Sequence, residues 1–317
     1  MLNKYYFTST DLISSVKRRI NLPDSQSMVS DQDILDYANE EMALKMVPMI
    51  LSQFQDYYLV REDVLIDITE TKYPIPYRAA GNKIQELMYT PNLDDRNDLR
   101  EFFRISIEDL GSHDFTYNAQ YGGRFYIEGE NVVLHVDTVS PGYLVFFYYL
   151  RPNSLVTIDR VATVQAIDAS SGQIVVDEVP SIFTTADQYD FVMKKSPHKI
   201  ITYDFSLTNI NTVTKTITMD PTDVPDTLAI GDRISLAGET DLVNCPSDLH
   251  VMLAQTTAAR VLESIGDVDN LSVATAKLRE MEHNGQMLIS NRVIGSPRKI
   301  KSRTGLIRGN GRYRRGR

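Results

Sequence analysis

Few side chains in this sequence are spaced for covalent chemistry. His113 and Asp114 are neighbours, and a carboxylate beside an imidazole can orient it as a general base. No nucleophile or second carboxylate accompanies them, so a polar loop is the simpler reading. Cys245, the single cysteine, stands just before the helix start Pro246-Ser247-Asp248. That position can lower a thiol pKa; an ordinary structural cysteine is the plainer alternative. His250 and His283 fall on two successive expected helices and can meet there, but two imidazoles alone do not define a metal site. His135 alternates within an expected strand as a surface or packed residue. Gly122-Gly123-Arg124 reads as a hairpin tip rather than a phosphate cradle. A GxxxxGK loop, HExxH and GxSxG are all absent. The expectation is a protein that is not an enzyme, with no catalytic residue, no cofactor and no metal.

The densest chemical signal is electrostatic. Residues 292–317 hold ten Lys and Arg and no Asp or Glu. The chain has 33 Lys+Arg against 42 Asp+Glu, so the rest of it holds 23 basic and 42 acidic side chains, a formal charge of −19. An acidic body with a cationic end is the pattern of an interaction arm; a solvated end with no partner is the bland alternative. Ile300, Leu306, Ile307 and Tyr313 interrupt the charges and supply apolar anchors for a partner surface to bury. The candidate partner-binding residues are therefore Arg298, Lys299, Ile300, Lys301, Arg303, Leu306, Ile307, Arg308, Arg312, Tyr313, Arg314, Arg315 and Arg317. They point to another protein chain or to nucleic acid.

Length allows two or three domains at 317 residues, and 17 Tyr with 11 Phe can build several cores. One cysteine excludes an internal disulfide and a cysteine-based zinc cluster. No apolar run reaches the length of a membrane span, and the first residues lack the apolar core of a signal peptide. The expectation is a soluble protein made in a cytoplasm, with no membrane partner.

The elements follow from pattern. Residues 1–59 read as helical. Thr8 with Asp11 and Ser30 with Asp33 are cap pairs. Leu12, Ile13, Val16 and Ile20 make one apolar stripe; Ile34, Leu35, Ala38, Met42, Met46 and Ile50 make a second. Pro48 should kink that second helix near Leu44. Asp31, Asp33, Asp36, Glu40 and Glu41 lie over its first half as dipole-stabilising, solvated carboxylates. Residues 60–155 change to period two, with a hairpin at 124–136 and a buried strand at 143–150. Residues 156–245 form a second β block, with strands at 163–167, 173–176, 200–207 and 213–219. Within it Val179-Pro180 and Asp187 recur as Val224-Pro225 and Asp232, which reads either as two similar hairpin units or as a chance similarity. Residues 246–291 return to helix, as a pair with a turn at 267–270 that packs on residues 1–59. The expected fold is α+β: a helical bundle from the N- and C-terminal helices, inserted antiparallel β domains at 60–155 and 156–245, and an extended basic C-terminal arm at 292–317.

Several of these stretches resemble a known family. They are Leu12-Ile-Ser-Ser-Val-Lys-Arg-Arg-Ile20, Pro23-Asp-Ser-Gln-Ser27, Asp33-Ile-Leu-Asp-Tyr-Ala-Asn-Glu-Glu-Met42 and Val47-Pro48. The first of them resembles the opening of head–tail connector (adaptor or ring) proteins of podovirus-type and crAss-like tailed phages, and the others continue the likeness. Tyr73-Pro-Ile-Pro-Tyr-Arg-Ala-Ala-Gly81, Arg124-Phe-Tyr-Ile-Glu-Gly129, Val132-Val-Leu-His-Val136 and Phe146-Phe-Tyr-Tyr-Leu-Arg-Pro-Asn-Ser-Leu155 resemble the family's β region. The likeness covers about residues 10–155 and carries no catalytic signature. It implies a homo-oligomeric ring, commonly dodecameric, at the tail and portal vertex of a virion. Such a ring contacts the portal protein and neighbouring ring or tail proteins, and it lines the channel for genomic DNA in transit at ejection. Acidic lining side chains would repel the DNA backbone. Two other functions compete with it: a nucleic-acid-binding virion protein using the arm, and a virion-associated hydrolase using His113, Asp114 or Cys245.

Overall fold

The computed structural model describes residues 7–21, 29–53, 55–67, 69–93, 98–111, 123–136, 141–196 and 198–288. It is an α+β fold in which helices from both ends of the chain flank a largely antiparallel, multi-strand β region. The basic block at 292–317 lies outside the described residues.

Thr8 starts α1 (Ser9–Arg19). Its hydroxyl accepts from the Asp11 N–H, and the Asp11 carboxylate accepts from the Thr8 N–H, which satisfies two backbone donors reciprocally. Ser30 and Asp33 do the same for α2 (Asp31–Glu41). After Glu41 the helix widens into a π turn at Met42–Met46, where the Val47 N–H reaches back five residues to the Met42 carbonyl. The helix then resumes as α3 (Val47–Gln53). A proline ring clashes with the carbonyl four residues earlier, here that of Leu44. The wider turn is how this chain accommodates Pro48.

At the other end Ser247–Leu249 make a single 3-10 turn into α4 (His250–Ile265). Gly266 follows with φ 76°, and the N–H groups of Asp267 and Gly266 donate to the carbonyls of Leu262 and Glu263 at 3.1 and 3.2 Å. This left-handed stop needs a residue without Cβ. The turn is shorter than the expected 267–270, because the Asp267 carboxylate accepts from the Asn270 N–H at 3.1 Å and caps α5 (Val268–Leu288) at once. Helices α1, α2 and α5 all lie against α4. The core they share buries Leu12, Val16, Ile34, Leu35, Met46, Ile50, Leu249, Leu253 and Val261.

Strands β1 (Leu59–Leu65), β2 (Lys72–Pro74), β3 (Ala79–Thr90), β4 (Arg100–Glu101), β5 (Phe103–Arg104), β6 (Arg124–Glu128), β7 (Asn131–His135) and β8 (Tyr143–Leu150) form two four-stranded sheets. Their orders are β1-β8-β3-β4 and β2-β7-β6-β5. The apolar run of β8 is central because β1 and β3 both pair with it, Leu59 with Tyr149 and Met88 with Val145 among others. Phe125, Leu134, Leu144, Phe146 and Tyr148 fill the core of this region. Gly123 enters β6 rather than forming a hairpin tip. A Cβ there would sit 2.3 Å from the Phe102 ring, so close packing requires glycine.

The chain continues through β9 (Ser154–Leu155), β10 (Ala162–Asp168), β11 (Gln173–Val176), β12 (Gln188–Val192), β13 (Ile200–Ser206), β14 (Asn209–Asn211), β15 (Thr216–Thr218), β16 (Arg233–Leu236) and β17 (Glu239–Thr240). The large sheet runs β13-β12-β16-β10-β11-β15-β14. Its two outer strands are separated only by Leu207 and Thr208, so the sheet curls round onto one run of chain. Val164, Ile174, Tyr189, Phe191, Ile217 and Ile234 fill its interior. The sequence repeat has a structural counterpart. Asp190 pairs with Ser235, flanked by Tyr189 with Leu236 and Phe191 with Ile234. A local two-fold axis at the Asp190–Ser235 pair therefore relates residues 45 apart on the two strands. Pro180 and Pro225 accept equivalently from Phe183 and Leu228, whose side chains are both buried. The expected strand at 213–219 is only β15, because the Asn211 side chain accepts from the Val213 and Thr214 N–H groups and makes a tight tip there.

Candidate interaction site

Arg78 stands between β2 and β3, at the end of an extended Tyr-Pro-Ile-Pro segment that aims it away from its own sheet. Its guanidinium reaches the seven-stranded sheet and bonds Asp190 of β12 in a fork, at 2.7 and 2.8 Å. One of the same nitrogens donates to Asp204 of β13 at 2.5 Å, another nitrogen to Asn153 at 3.3 Å, and Nε to the Tyr77 hydroxyl at 3.1 Å. Asp190 is fully buried, and its two oxygens also accept from Asn153, Asp204 N–H and Gly238 N–H. The rings of Tyr77 and Tyr203 lie 5.5 and 5.6 Å from the guanidinium carbon. Burial acts to lower the Arg78 pKa, but the hydrogen bonds to Asp190 and Asp204 outweigh it and hold the pKa above its ordinary value. Both ions are paired and hydrogen-bonded, the condition under which charges tolerate an interior. One network thus fixes the first β region to the seven-stranded sheet. A second tie joins the helices to β9. Asn39 of α2 accepts from the Leu155 N–H at 2.7 Å and donates to its carbonyl at 3.0 Å.

Beside this joint is a cleft of about 630 Å³ between the π turn, the start of β3 and residues 151–154. Met42, Val47, Leu51, Ile84 and Pro152 give it apolar walls, and Lys83 and Arg151 are its only charged lining residues among those described. Ala43 and Pro48 also line it. Continuing the π register from Val47, the Ala43 carbonyl would be the next acceptor, and Pro48 has no N–H to give it. Pro48→Ala is therefore expected to restore a backbone donor and close the widened turn. Urea unfolding should show the isolated chain's stability held or raised by up to about 1 kcal/mol. Assembly with partners should weaken as the cleft narrows, and unchanged assembly would reduce the turn to a matter of local packing.

The sequence-predicted site residues are placed as follows. The thirteen arm residues, from Arg298 to Arg317, and His113 with Asp114 lie outside the described residues. Cys245 is fully buried, and burial pushes its thiol well up, the reverse of an activated nucleophile. His250 stacks on Phe7 with ring centroids 4.8 Å apart and hydrogen-bonds the Cys245 carbonyl, whereas His283 is exposed on α5. The two are not brought into a metal-ligating cluster, and no such cluster exists among the described residues. His135 is a half-buried residue of β7. On α2, Asp31 pairs with Lys17 at 2.8 Å and Asp33 serves the cap, as dipole and surface carboxylates do. Among the described residues no helix is long and apolar enough to cross a membrane. Sequence reasoning missed Asp190 and Asp204, and it quoted Arg78 and Asn153 only within stretches that resemble the family's β region. The signal within reach was a charged residue, Asp190, in the middle of an otherwise apolar strand.

Burial, joined by the nearby His198, lowers the His250 pKa to about 4 from 6.5. The unfolded chain therefore binds the proton more readily, and this contribution to stability is complete above pH 6.5. It is lost as pH falls towards 4 and changes no further below that, a span of roughly 3 kcal/mol. Burial raises the Asp241 pKa and gives an opposite slope. Unfolding free energies at several pH values for the parent and His250→Asn isolate the histidine, since Asp241 is common to both. The variant should show the shallower loss between pH 6.5 and 4; parallel curves would contradict the assignment.

No family model and no curated protein matches the chain.

Proposed function

We propose that this chain is a structural subunit of a phage head–tail connector ring, bridging portal and tail and lining the DNA channel. The observation that carries the reading is the joint at Arg78, which couples the first β region to the seven-stranded sheet through one buried network. The Asn39 tie adds the helices to the same unit. A ring that passes load from capsid vertex to tail needs subunits whose parts do not swivel, and a forked arginine–carboxylate contact gives directional rigidity. The resemblance over residues 10–155 supports this reading. So does the charge distribution, since an acidic body lets DNA pass without adhering. In this proposal the helices of the two chain ends form the bundle from which the β domains project. The basic arm leaves from the end of α5 to reach the portal or a neighbouring ring, with virion assembly and genome ejection as its setting. The ten cations of the arm favour one second reading, a grip on nucleic acid. The test is imaging of the purified chain mixed with candidate portal protein. Rings seated on the portal are the expected result; free monomers beside bare portals would overturn the proposal.

A further inference from the structure

The cleft has a counterpart elsewhere on the same molecule. Phe103 on β5 and Ile107 at the start of the Ile107–Gly111 3-10 turn are large apolar side chains, both 60% exposed among the described residues. Isolated exposed apolar residues are ordinary, but here two stand within one run of five residues. The run 101–108 carries Glu101 and Glu108 against the single cation Arg104, so the patch is net acidic. The cleft is its inverse: an apolar floor edged by Lys83 and Arg151, neither of which has an ion pair among the described residues.

Geometry keeps a molecule from filling its own cleft. Residues 80–85 of β3 line the cleft, while Met88 and Tyr89 near its other end pair with β4, from which the patch follows. At about 3.3 Å per residue, cleft residues 80–85 lie roughly 10–26 Å along β3 from Met88, where β4 pairs. A patch at one end and a complementary socket at the other make a head-to-tail contact, the kind that builds rings when its rotation closes.

We infer that the two are halves of one contact between copies of this chain: Phe103 and Ile107 of one copy enter the cleft of the next, with Glu101 and Glu108 facing Lys83 and Arg151. This rests on the ring reading and names the surfaces that would make the ring. Leu51 and Ile84 are the apolar partners in the socket.

The test uses the full chain in two forms with one added cysteine each, Ser106→Cys beside the patch and Gln85→Cys in the cleft. A short bismaleimide links thiols brought together, and buried Cys245 does not compete. The mixture should give cross-linked dimer that neither form gives alone, reduced at least ten-fold by Phe103→Ser with Ile107→Ser. Lys83→Glu with Arg151→Glu should reduce it similarly, and adding Glu101→Lys with Glu108→Lys in the partner form should restore it. Dimer formed equally by either variant alone, no cross-link in the mixture at several hundred micromolar protein, or no rescue by charge exchange would overturn the contact. Sedimentation of the Phe103→Ser, Ile107→Ser chain separates the two levels. Oligomers or portal-bound rings that persist in it would overturn this contact and leave the ring reading standing.

Discussion

Arg78→Ala is expected to lower the unfolding free energy by about 3–5 kcal/mol, the largest effect of any single polar substitution in the molecule. The loss would not measure the attraction of one ion pair. It would arise because Asp190 is fully buried and would stay charged among groups arranged for a guanidinium. Asn153, the Asp204 N–H and the Gly238 N–H would still donate to it, but no cation would remain nearby. Arg78→Lys should recover only part of the loss, because an ammonium cannot fork onto both Asp190 oxygens and reach Asp204 as well. Arg100→Ala is the control, since it removes a solvent-accessible pair with Asp98 worth no more than about 1 kcal/mol. Urea denaturation of the four proteins checks this. An Arg78→Ala loss as small as the control's would mean that the joint does not hold the β regions together.

Deleting residues 298–317 is expected to leave the body folded and to remove most attachment to the portal or neighbouring rings. The core residues of all three apolar clusters precede the deletion, so thermal unfolding of the body should be unchanged. Two sets of substitutions separate the forces involved. Ile300, Leu306, Ile307 and Tyr313 changed to Ser remove apolar burial, roughly 1.5–3 kcal/mol for each side chain that the partner fully covers. Arg312, Arg314, Arg315 and Arg317 changed to Gln remove charge and keep most of the length. A protein clasp predicts that the first set is the more damaging and that attachment survives moderate salt. A phosphate grip predicts the second set and a steep fall in binding as salt rises. The interleaved apolar residues favour the clasp. Full attachment after deletion of the whole arm would contradict both.

Local chemistry was readable in the sequence, and long-range chemistry was not. Thr8 with Asp11 and Ser30 with Asp33 declare their helix starts because both partners of each cap lie within four residues. The run 143–150 declares a buried strand because two neighbours cover it. Strand β3 was missed although it has twelve residues. It opens through Gly81 and Asn82, both left-handed, and the register against β8 shifts there, so its alternation begins only at Lys83. Strand β12 was missed because Asp190 in its middle reads as polar, although that charge is neutralised by an arginine 112 residues earlier. The joint follows the same rule. Arg78 meets Asn153 and Asp204 across 75 and 126 residues, separations at which no local spacing carries a signal. The cleft likewise combines a π turn with a strand start that only the tertiary fold brings together.

The number of copies of this chain per virion, with their position, tests the central claim most directly. Purified particles would be measured by calibrated peptide mass spectrometry and by symmetry-resolved imaging of the tail vertex. The connector reading predicts multiple equivalent copies arranged as a ring at the portal vertex. A single copy per particle, or absence of the chain from the virion, would contradict it.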